Sequence, residues 1–254
     1  MNKNPIVLYT DHSISKSICY YFAKGSNSLM CHVKNFKEYD KTIATYGFKR
    51  GTASILNKVK NFYYIDHGYF NQSKRGFSEN NTTVFDLNGY FRIVNNDFWH
   101  NGKGNKPGDR LDKLNIDFKK INKNGKYIIL SEPSSNSINF FKLNNWTKDT
   151  KKIIKKYTDR KIIIHSKSSP TPLSELLTDA WCFVSNHSTA GLKAMIQGVP
   201  AYFTNSTLSN IGAIEDIEKH QINYSIFNNL AYGQWTIKEI ESGEAWQYIS
   251  KDIN

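Results

Sequence analysis

The residues best suited to acid–base chemistry lie in residues 63–70, which read Tyr-Tyr-Ile-Asp-His-Gly-Tyr-Phe. Asp66 is a single acid in a long apolar and aromatic stretch, so partial removal from water would make it a stronger general base. His67 is next to it, and Gly68 allows close backbone approach. A second interpretation stays open, in which Asp66 caps the following turn and His67 only packs.

A second candidate segment is residues 186–200, which read Asn-His-Ser-Thr-Ala-Gly-Leu-Lys-Ala-Met-Ile-Gln-Gly-Val-Pro. His187, Ser188 and Thr189 follow a predicted buried strand and open a short predicted helix that Gly198 ends. Free backbone N–H groups and the positive end of a helix dipole favour a phosphate there. The alternative is that Ser188 and Thr189 act only as a helix cap.

Two further strand ends carry polar side chains. Ser131, Pro133 and Ser134 follow a predicted strand at 126–130, and His165 and Lys167 follow another at 162–164. Ligands of open α/β sheets bind at the carboxyl ends of strands, and cations there can meet a diphosphate. An ordinary β-turn at Ser134 and a solvated Lys167 are the competing interpretations.

The elements that must position these residues alternate between strands and helices, which predicts parallel sheets in an α/β fold. Residues 6–9, 42–46 and 62–65 form the first predicted strands, and residues 126–130, 162–164, 181–184 and 201–203 form the second series. Between the series, residues 95–126 are rich in Asn, Gly, Lys and Asp. We therefore predict two Rossmann-like lobes facing a cleft: an acceptor-side domain at 1–120, a nucleotide-sugar-binding domain at 121–230 and a helical tail at 231–254 that packs across the lobes.

The charge balance suggests a polyanionic partner. The chain has 34 Lys and Arg against 22 Asp and Glu, a net charge of +12, which suits nucleic acid, acidic lipid or an acidic glycan. Solvated helix faces are the alternative for the lysine runs. The candidate contacts to an acceptor or DNA are Arg50, Arg92, Trp99, His100, Lys103 and Lys106.

Cysteine spacing and hydropathy argue against a metal-binding protein and against a membrane-spanning one. Three cysteines without metal-ligand spacing indicate small buried residues of a reducing compartment, and no apolar stretch approaches the length of a membrane span. We expect a cytoplasmic protein without a metal site. No Asp-x-Asp motif with flanking strands is present, which favours a metal-independent mechanism.

An acid in one half and phosphate binders in the other fit sugar transfer with inversion. The carboxylate takes a proton from an acceptor hydroxyl, while cations and helix-end amides stabilise the departing nucleoside diphosphate. Asp66 and His67 are then catalytic, and the donor-binding residues are Ser131, Pro133, Ser134, His165, Lys167, His187, Ser188 and Thr189.

Several of these motifs resemble a bacteriophage family of GT-B-like glycosyltransferases. The resemblance rests on residues 64–70, 158–160 with 164–167, 184–200, and 230–235 with 242–246, and spans about residues 46–246. More distantly, the Asp-x-Gly-aromatic and Ser-Thr helix motifs look like those of capsule-type Kdo glycosyltransferases. In those enzymes the acid of the first motif is the catalytic base, and the matching residue here is Asp66.

The phage resemblance implies transfer of glucose or a pentose such as arabinose from a UDP-type sugar to 5-hydroxymethylcytosine or a related base in double-stranded DNA. It also implies the cytoplasm of a phage-infected bacterium. The nucleotide sugar is then a co-substrate, with no separate cofactor, and the enzyme a monomer or dimer. Two positions depart from the pattern: His165-Ser166 stands where the family has Arg-Pro, and Lys193 stands where many GT-B enzymes have a ribose-binding Glu.

Two other functions stay open. The first is a glycosyltransferase acting on a surface or capsular glycan, for which aromatic side chains would stack on sugars. The second is a non-catalytic DNA-binding module that has kept the GT-B fold.

Overall fold

A computed structural model of the protein describes residues 4–73, 75–77, 83–85 and 87–251. The chain forms two compact units. The first comprises Met1–Trp99 together with Leu230–Asn254, and the second comprises His100–Asn229. Each unit is α/β and Rossmann-like, so the predicted fold class is confirmed.

The amino-terminal part of the first unit alternates strands and helices before it ends in antiparallel strands. Its elements are β1 (Ile6–Tyr9), α1 (Ser13–Ser26), β2 (Met30–His32), β3 (Ile43–Tyr46), α2 (Thr52–Leu56), β4 (Phe62–His67), β5 (Arg75–Phe77), β6 (Thr83–Phe85) and β7 (Tyr90–Asn95).

The second unit repeats the alternation. Its elements are α3 (Asp109–Asp112), β8 (Tyr127–Ser131), α4 (Ser135–Phe141), α5 (Trp146–Ile154), β9 (Lys161–His165), α6 (Leu173–Thr178), β10 (Ala180–Ser185), α7 (Ala190–Ile196) and β11 (Ala201–Phe203). The chain returns to the first unit within α8 (Ser225–Ala231) and ends in β12 (Gln234–Thr236), α9 (Ile237–Glu241) and α10 (Glu244–Ile249).

The sheet of the first unit has the order β12-β7-β4-β3-β1-β2. Strands β1 to β4 pair in parallel, as predicted, whereas β7 pairs antiparallel with both β4 and β12. The prediction of a wholly parallel sheet is therefore wrong on this side. Between β4 and β7 the described part of the chain contains the antiparallel pair β5 and β6, and an antiparallel neighbour needs no crossover helix.

The carboxyl-terminal segment completes the core of the first unit. Trp235, Ile240, Ala245 and Ile249 are buried in one apolar cluster with residues of β1, α1 and β4. A Cβ on Gly25 of α1 would overlap the carbonyl oxygen of Ile240, so only glycine lets α1 and α9 approach this closely.

The domain boundaries differ from those predicted from sequence. The first boundary lies after Trp99 rather than after residue 120, and residues 230–254 belong to the first unit rather than forming a separate tail. The reason is burial, since the apolar side chains of this segment fill the first unit's core.

The sheet of the second unit has the order β11-β10-β8-β9 and is parallel throughout. Ile128, Leu130, Cys182 and Val184 form the centre of its core. Strands β8 and β10 lie inside the sheet and are buried, which explains their continuous apolar sequences, whereas β9 lies at the edge with Ile164 48% exposed. Among the described residues, no helix has the length and hydropathy of a membrane span.

Candidate functional site

Strand register brings Asp66 of β4 opposite Arg92 of β7. Side chains directly opposite each other in an antiparallel pair lie on the same face of the sheet. The Arg92 Nη2 atom accordingly donates to Asp66 Oδ2 at 2.9 Å. The sequence interpretation of Asp66 as an isolated acid missed this cation.

Three donors converge on the Asp66 carboxylate. Besides Arg92, the hydroxyl of Tyr64 donates to Oδ2 at 3.0 Å, and the backbone N–H of His67 donates to Oδ1 at 2.8 Å. Tyr64 is two residues before Asp66, so the period of the strand puts both on one face. The Asp66 side chain keeps 26% of its surface exposed, which leaves it accessible to a substrate.

Arg92 is inside the first unit rather than on its surface. It is 4% exposed, and its other donors bind the backbone oxygens of His67 at 2.9 Å and Phe98 at 3.1 Å. Burial lowers its pKa, but the charge of Asp66 and the neighbouring tyrosines raise it more, so that the pKa lies above its ordinary value. The predicted DNA contact by Arg92 is therefore corrected: this guanidinium holds Asp66.

The imidazole of His67 bridges two hydroxyls. Its Nε2 atom lies 3.1 Å from the Tyr46 hydroxyl, and its Nδ1 atom lies 3.1 Å from Ser73 Oγ. Burial, followed by the charge of Asp66, raises the pKa of Tyr46, so this phenol stays protonated. A catalytic role of His67 stays a prediction.

The turn after β4 requires close backbone approach at Gly68, as predicted. Its N–H donates to the carbonyl of Tyr90 at 2.7 Å, and a Cβ would lie 2.7 Å from that same oxygen. The buried Gln234 of β12 accepts from the backbone N–H groups of Tyr69 and Phe70. These contacts fix the exit of β4 and thereby the position of Asp66.

A cavity of about 350 Å³ opens beside Asp66 at the carboxyl ends of β1, β3 and β4. This is the edge at which open α/β sheets bind ligands. Its lining includes Arg50, which was predicted from sequence as an acceptor contact. The other described lining residues are Thr10, His12, Ile14, Ser15, Tyr46, Gly47, Phe48, Lys49, Tyr64 and His67.

In the second unit, register brings three predicted strand ends together. Ser131 at the end of β8 pairs with His165 of β9 on one side and with Ser185 of β10 on the other. Lys167 follows His165 and is exposed. Parallel strands end at a common edge, so these three strand ends lie side by side.

The loop after β10 is ordered by a hydrogen-bond network that the sequence did not reveal. Asn186 is 8% exposed, and its amide nitrogen donates to Thr204 Oγ1 at 2.9 Å. The same Thr204 oxygen also accepts from the indole N–H of Trp146. The Asn186 amide oxygen contacts His187 Nδ1. His187 also packs against Phe141, with ring centroids 4.8 Å apart.

The hydroxyls at the two predicted phosphate turns have different local roles. Ser134 caps α4 by accepting from the N–H of Ser137, and Ser188 Oγ accepts from the N–H of Ala190. Thr189 makes no side-chain capping bond. Capping thus accounts for Ser134, which follows Pro133, whereas Ser188, which follows His187, stands one residue before the cap position that Thr189 occupies.

The remaining predicted acceptor contacts divide into buried and exposed residues. Trp99 is 5% exposed and packs against Phe98, so its predicted surface contact is corrected. His100 is half-buried, with Nδ1 accepting from the N–H of Gly102. Lys103 and Lys106 are exposed.

The loop that carries the two lysines is held by one buried side chain. Asn229 is 2% exposed; its amide nitrogen donates to the carbonyls of Gly102 and Gly104, and its oxygen accepts from the N–H of Lys106. Gly102 and Gly104 have φ angles of 69° and 128°, a region that glycine adopts without strain. The loop is therefore held in place by the buried side chain of Asn229.

Lys193, the position where many GT-B enzymes have Glu, is exposed on α7. It lines a cavity of about 1000 Å³ with Leu173 and Leu177 of α6 and Ala190 of α7. No group of three or more His, Cys, Asp or Glu residues within the described ranges is placed to hold a metal ion.

No protein-family model and no curated protein sequence matches the chain. Among solved structures, the chain is similar to one from Thermosulfurimonas dismutans described as KpsC, beta Kdo 2,4 transferase. The identity is 8%, the TM-score is 0.44, and the alignment covers 91% of this chain and 90% of that one. At this TM-score the likeness carries no inference about function.

Proposed function

We propose that the protein is a glycosyltransferase that moves glucose or a pentose such as arabinose from a UDP-type donor to a 5-hydroxymethylpyrimidine in phage DNA. The observation that carries the proposal is the Asp66 carboxylate, fixed by three donors and open to a cavity of about 350 Å³. An anchored, accessible carboxylate at a strand's carboxyl end is the arrangement that a general base requires.

The hydrogen bonds of Asp66 leave it able to accept a proton. An ionised carboxylate has about four acceptor directions. The described donors fill three of them, two at Oδ2 and one at Oδ1. The remaining direction at Oδ1 is assigned to the acceptor hydroxyl.

The chemical step is a single displacement. Asp66 takes the hydroxyl proton while the acceptor oxygen forms a bond to the anomeric carbon of the sugar. The bond from that carbon to the phosphate oxygen breaks, and its electron pair leaves with the nucleoside diphosphate. Attack and departure on opposite faces invert the anomeric carbon. Asp66 holds the proton at the end of the step.

The donor diphosphate is assigned to the strand ends of the second unit. Ser131 and His165 lie in register there, and Lys167 and Thr189 have side chains that no described capping bond or ion pair engages. His165, Lys167, Thr189 and the backbone amides near Ser188 would balance the charge of the leaving diphosphate. No metal ion takes part in this scheme.

The DNA acceptor is supported by charge. A net charge of +12 attracts a polyanion, and the exposed Lys103 and Lys106 sit on a loop that is already ordered. Ordering before binding reduces the entropy that binding must overcome.

The transfer reaction is tested by incubating the protein with hydroxymethylated or unmodified DNA and a set of UDP-sugars, followed by digestion to nucleosides and mass analysis. We expect one hexose or pentose mass on the hydroxymethylated nucleoside, and none with Asp66→Asn. Asp40→Asn, an exposed acid of the same unit, is the matched control and should transfer normally. No mass gain on any DNA would refute the acceptor, and full activity of Asp66→Asn would refute the base.

The donor site is tested separately by thermal shift with UDP. A ligand at one hundred times its Kd stabilises the native state by about 2.7 kcal/mol. Lys167→Ala should reduce the shift, whereas Lys161→Ala, at the other end of β9, should not. Equal shifts in both variants would exclude Lys167 from the donor site. No shift with any nucleotide would favour a DNA-binding module without catalysis.

A further inference from the structure

The cavity beside Asp66 carries positive charge that the described residues do not neutralise. Lys49 and Arg50 line it, both are exposed, and neither forms an ion pair with a carboxylate in the described parts of the chain. Asp66 is the only acid among the described lining residues, and it is paired with Arg92. The cavity therefore has two cations without a counter-charge.

His12, one of the two histidines that line the cavity, differs from the two cations. Burial, followed by the nearby charge of Arg50, lowers the pKa of His12. His12 is therefore mostly neutral at neutral pH and offers hydrogen bonds rather than charge. The positive potential comes from Lys49 and Arg50.

The loop that carries these cations has one residue in the left-handed region and is closed by a hydrogen bond of Thr52. Arg50 has a φ of 58°, in the left-handed region that residues other than glycine rarely adopt. Buried Thr52 donates to the carbonyl of Gly47 or Lys49, which closes the loop under the cavity. Strain of this kind is often retained where a ligand is gripped.

The lining next to the cations suits an aromatic or sugar ring. Tyr46, Phe48 and Tyr64 line the same cavity, and Thr10 and Ser15 add hydroxyl groups. The cavity thus offers cations for an anionic group, aromatic side chains for a ring, and Asp66 for a hydroxyl. A nucleotide within a polynucleotide carries all three of these groups.

We propose that this cavity is a phosphodiester subsite, in which Lys49 and Arg50 bind the DNA phosphate adjacent to the nucleotide that presents its hydroxyl to Asp66. The proposal rests on the proposed function, because it assigns the anion to that reaction's acceptor. Arg50 binds the phosphate through paired N–H donors, and Lys49 adds a point charge.

The subsite is tested by binding alone, without a sugar donor. The probe is a fluorescent duplex containing 5-hydroxymethylcytosine, titrated by anisotropy at several salt concentrations. Arg50→Gly removes the guanidinium and relieves the strained backbone, so loss of binding in this variant is not loss of folding. We expect about tenfold weaker binding and a plot of log affinity against log salt that is shallower by about 1, the value for one lost phosphate contact.

Lys37→Ala is the matched control, since Lys37 is an exposed cation of the same unit outside the cavity lining. It should bind the duplex nearly as tightly as the parent protein. If Lys37→Ala and Arg50→Gly weaken binding equally, only net charge matters and the subsite is refuted. Lys49→Ala should repeat the Arg50→Gly result.

A competing anion is a sugar carboxylate. If an acidic oligosaccharide binds in an Arg50-dependent manner while the duplex does not, the cavity belongs to a glycan acceptor and the phosphodiester assignment is wrong. Failure of the proposed function looks different: no UDP-sugar would be transferred although duplex binding still depended on Arg50. Transfer to DNA that is unaffected by Arg50→Gly would refute the subsite and leave the function standing.

Discussion

The Asp66 and Arg92 side chains form an ion pair that gains strength from burial of the cation. Arg92 is 5% exposed at its side chain, and its three donor groups satisfy one carboxylate and two carbonyls. Removing one member of a buried pair leaves an uncompensated charge, which costs about 3–5 kcal/mol. Asp66 is partly exposed, which places the expected cost at the lower end.

Arg92→Met should therefore lower the free energy of unfolding by about 3 kcal/mol, as measured by urea denaturation. Lys24→Met removes an exposed pair with Glu241 and should cost less than about 1 kcal/mol. In a double-mutant cycle with Asp66→Asn, the coupling energy should be about 1–3 kcal/mol. Equal costs for the Arg92 and Lys24 variants would contradict the role of burial.

Asp66 and Arg92 also show what a sequence can and cannot predict at this scale. Asp66 stands out because it is a single acid in an apolar run. Arg92 lies 26 residues away and meets Asp66 only through the register of β4 and β7. A register of this kind follows from the three-dimensional pairing, so the sequence alone predicts Arg92 as a surface contact. The network from Asn186 through Thr204 to Trp146 was missed for the same reason.

At the scale of elements, strands with continuous apolar runs were the most predictable. Strands β1 and β11 have the bounds predicted from sequence, β4, β9 and β10 extend the predicted runs by two residues, and β8 is shifted by one residue. Strands β4, β8, β10 and β11 are largely buried, which explains this success, whereas β9 is an edge strand whose apolar run stays partly exposed. The strands β2 and β12 lack the continuous apolar run that marks the equally short β11, and α4 is not predicted because its cap, Ser134, is equally typical of a turn.

The packing of α1 on α9 gives an element-scale prediction. Gly25→Ala should destabilise the protein by about 2–3 kcal/mol, because the added methyl group overlaps the Ile240 carbonyl and forces the two helices apart. Higher helix propensity of alanine, worth up to about 1 kcal/mol, opposes this but is smaller. Lys16→Ala, on the exposed face of α1, should stay within about 0.5 kcal/mol. A neutral or stabilising Gly25→Ala would show that this contact is loose.

Capping gives another prediction at the same scale. Thr236 and Glu239 form a reciprocal capping box at α9, so Thr236→Ala should cost about 1 kcal/mol in thermal or urea unfolding. Thr189 stands at the cap position of α7 without a capping bond, so Thr189→Ala should change stability much less. Equal losses would mean that the Thr189 hydroxyl has a structural role and is unsuited to report on donor binding.

At the scale of the whole molecule, the first unit is built from two stretches of chain that are separated in sequence by the whole second unit. The chain leaves the first unit after Trp99 and returns at Leu230, so residues distant in sequence share one core. Composition along the chain indicates linkers, and it carries no signal for a segment that rejoins an earlier unit. Trp235 and Ile240 look like residues of a tail in sequence, and only their burial with α1 assigns them to the first unit.

Buried thiols in both units predict how the stability of the molecule depends on pH. Burial raises the pKa of Cys19 from 9.0 to about 12, and burial also raises that of Cys182. Above about pH 9 the unfolded chain ionises these thiols while the native chain keeps them protonated. Unfolding then releases protons, so stability is complete below pH 9 and falls as pH rises towards 12, by up to about 1.4 kcal/mol per pH unit for each thiol.

The measurement is the urea-derived free energy of unfolding at a series of alkaline pH values. The double variant Cys19→Ala, Cys182→Ala is less stable throughout because it leaves cavities, but its stability should fall less steeply with pH. Buried tyrosines contribute equally to the pH dependence of the parent protein and of the double variant. If stability falls equally steeply with pH in both, the thiols are not the cause.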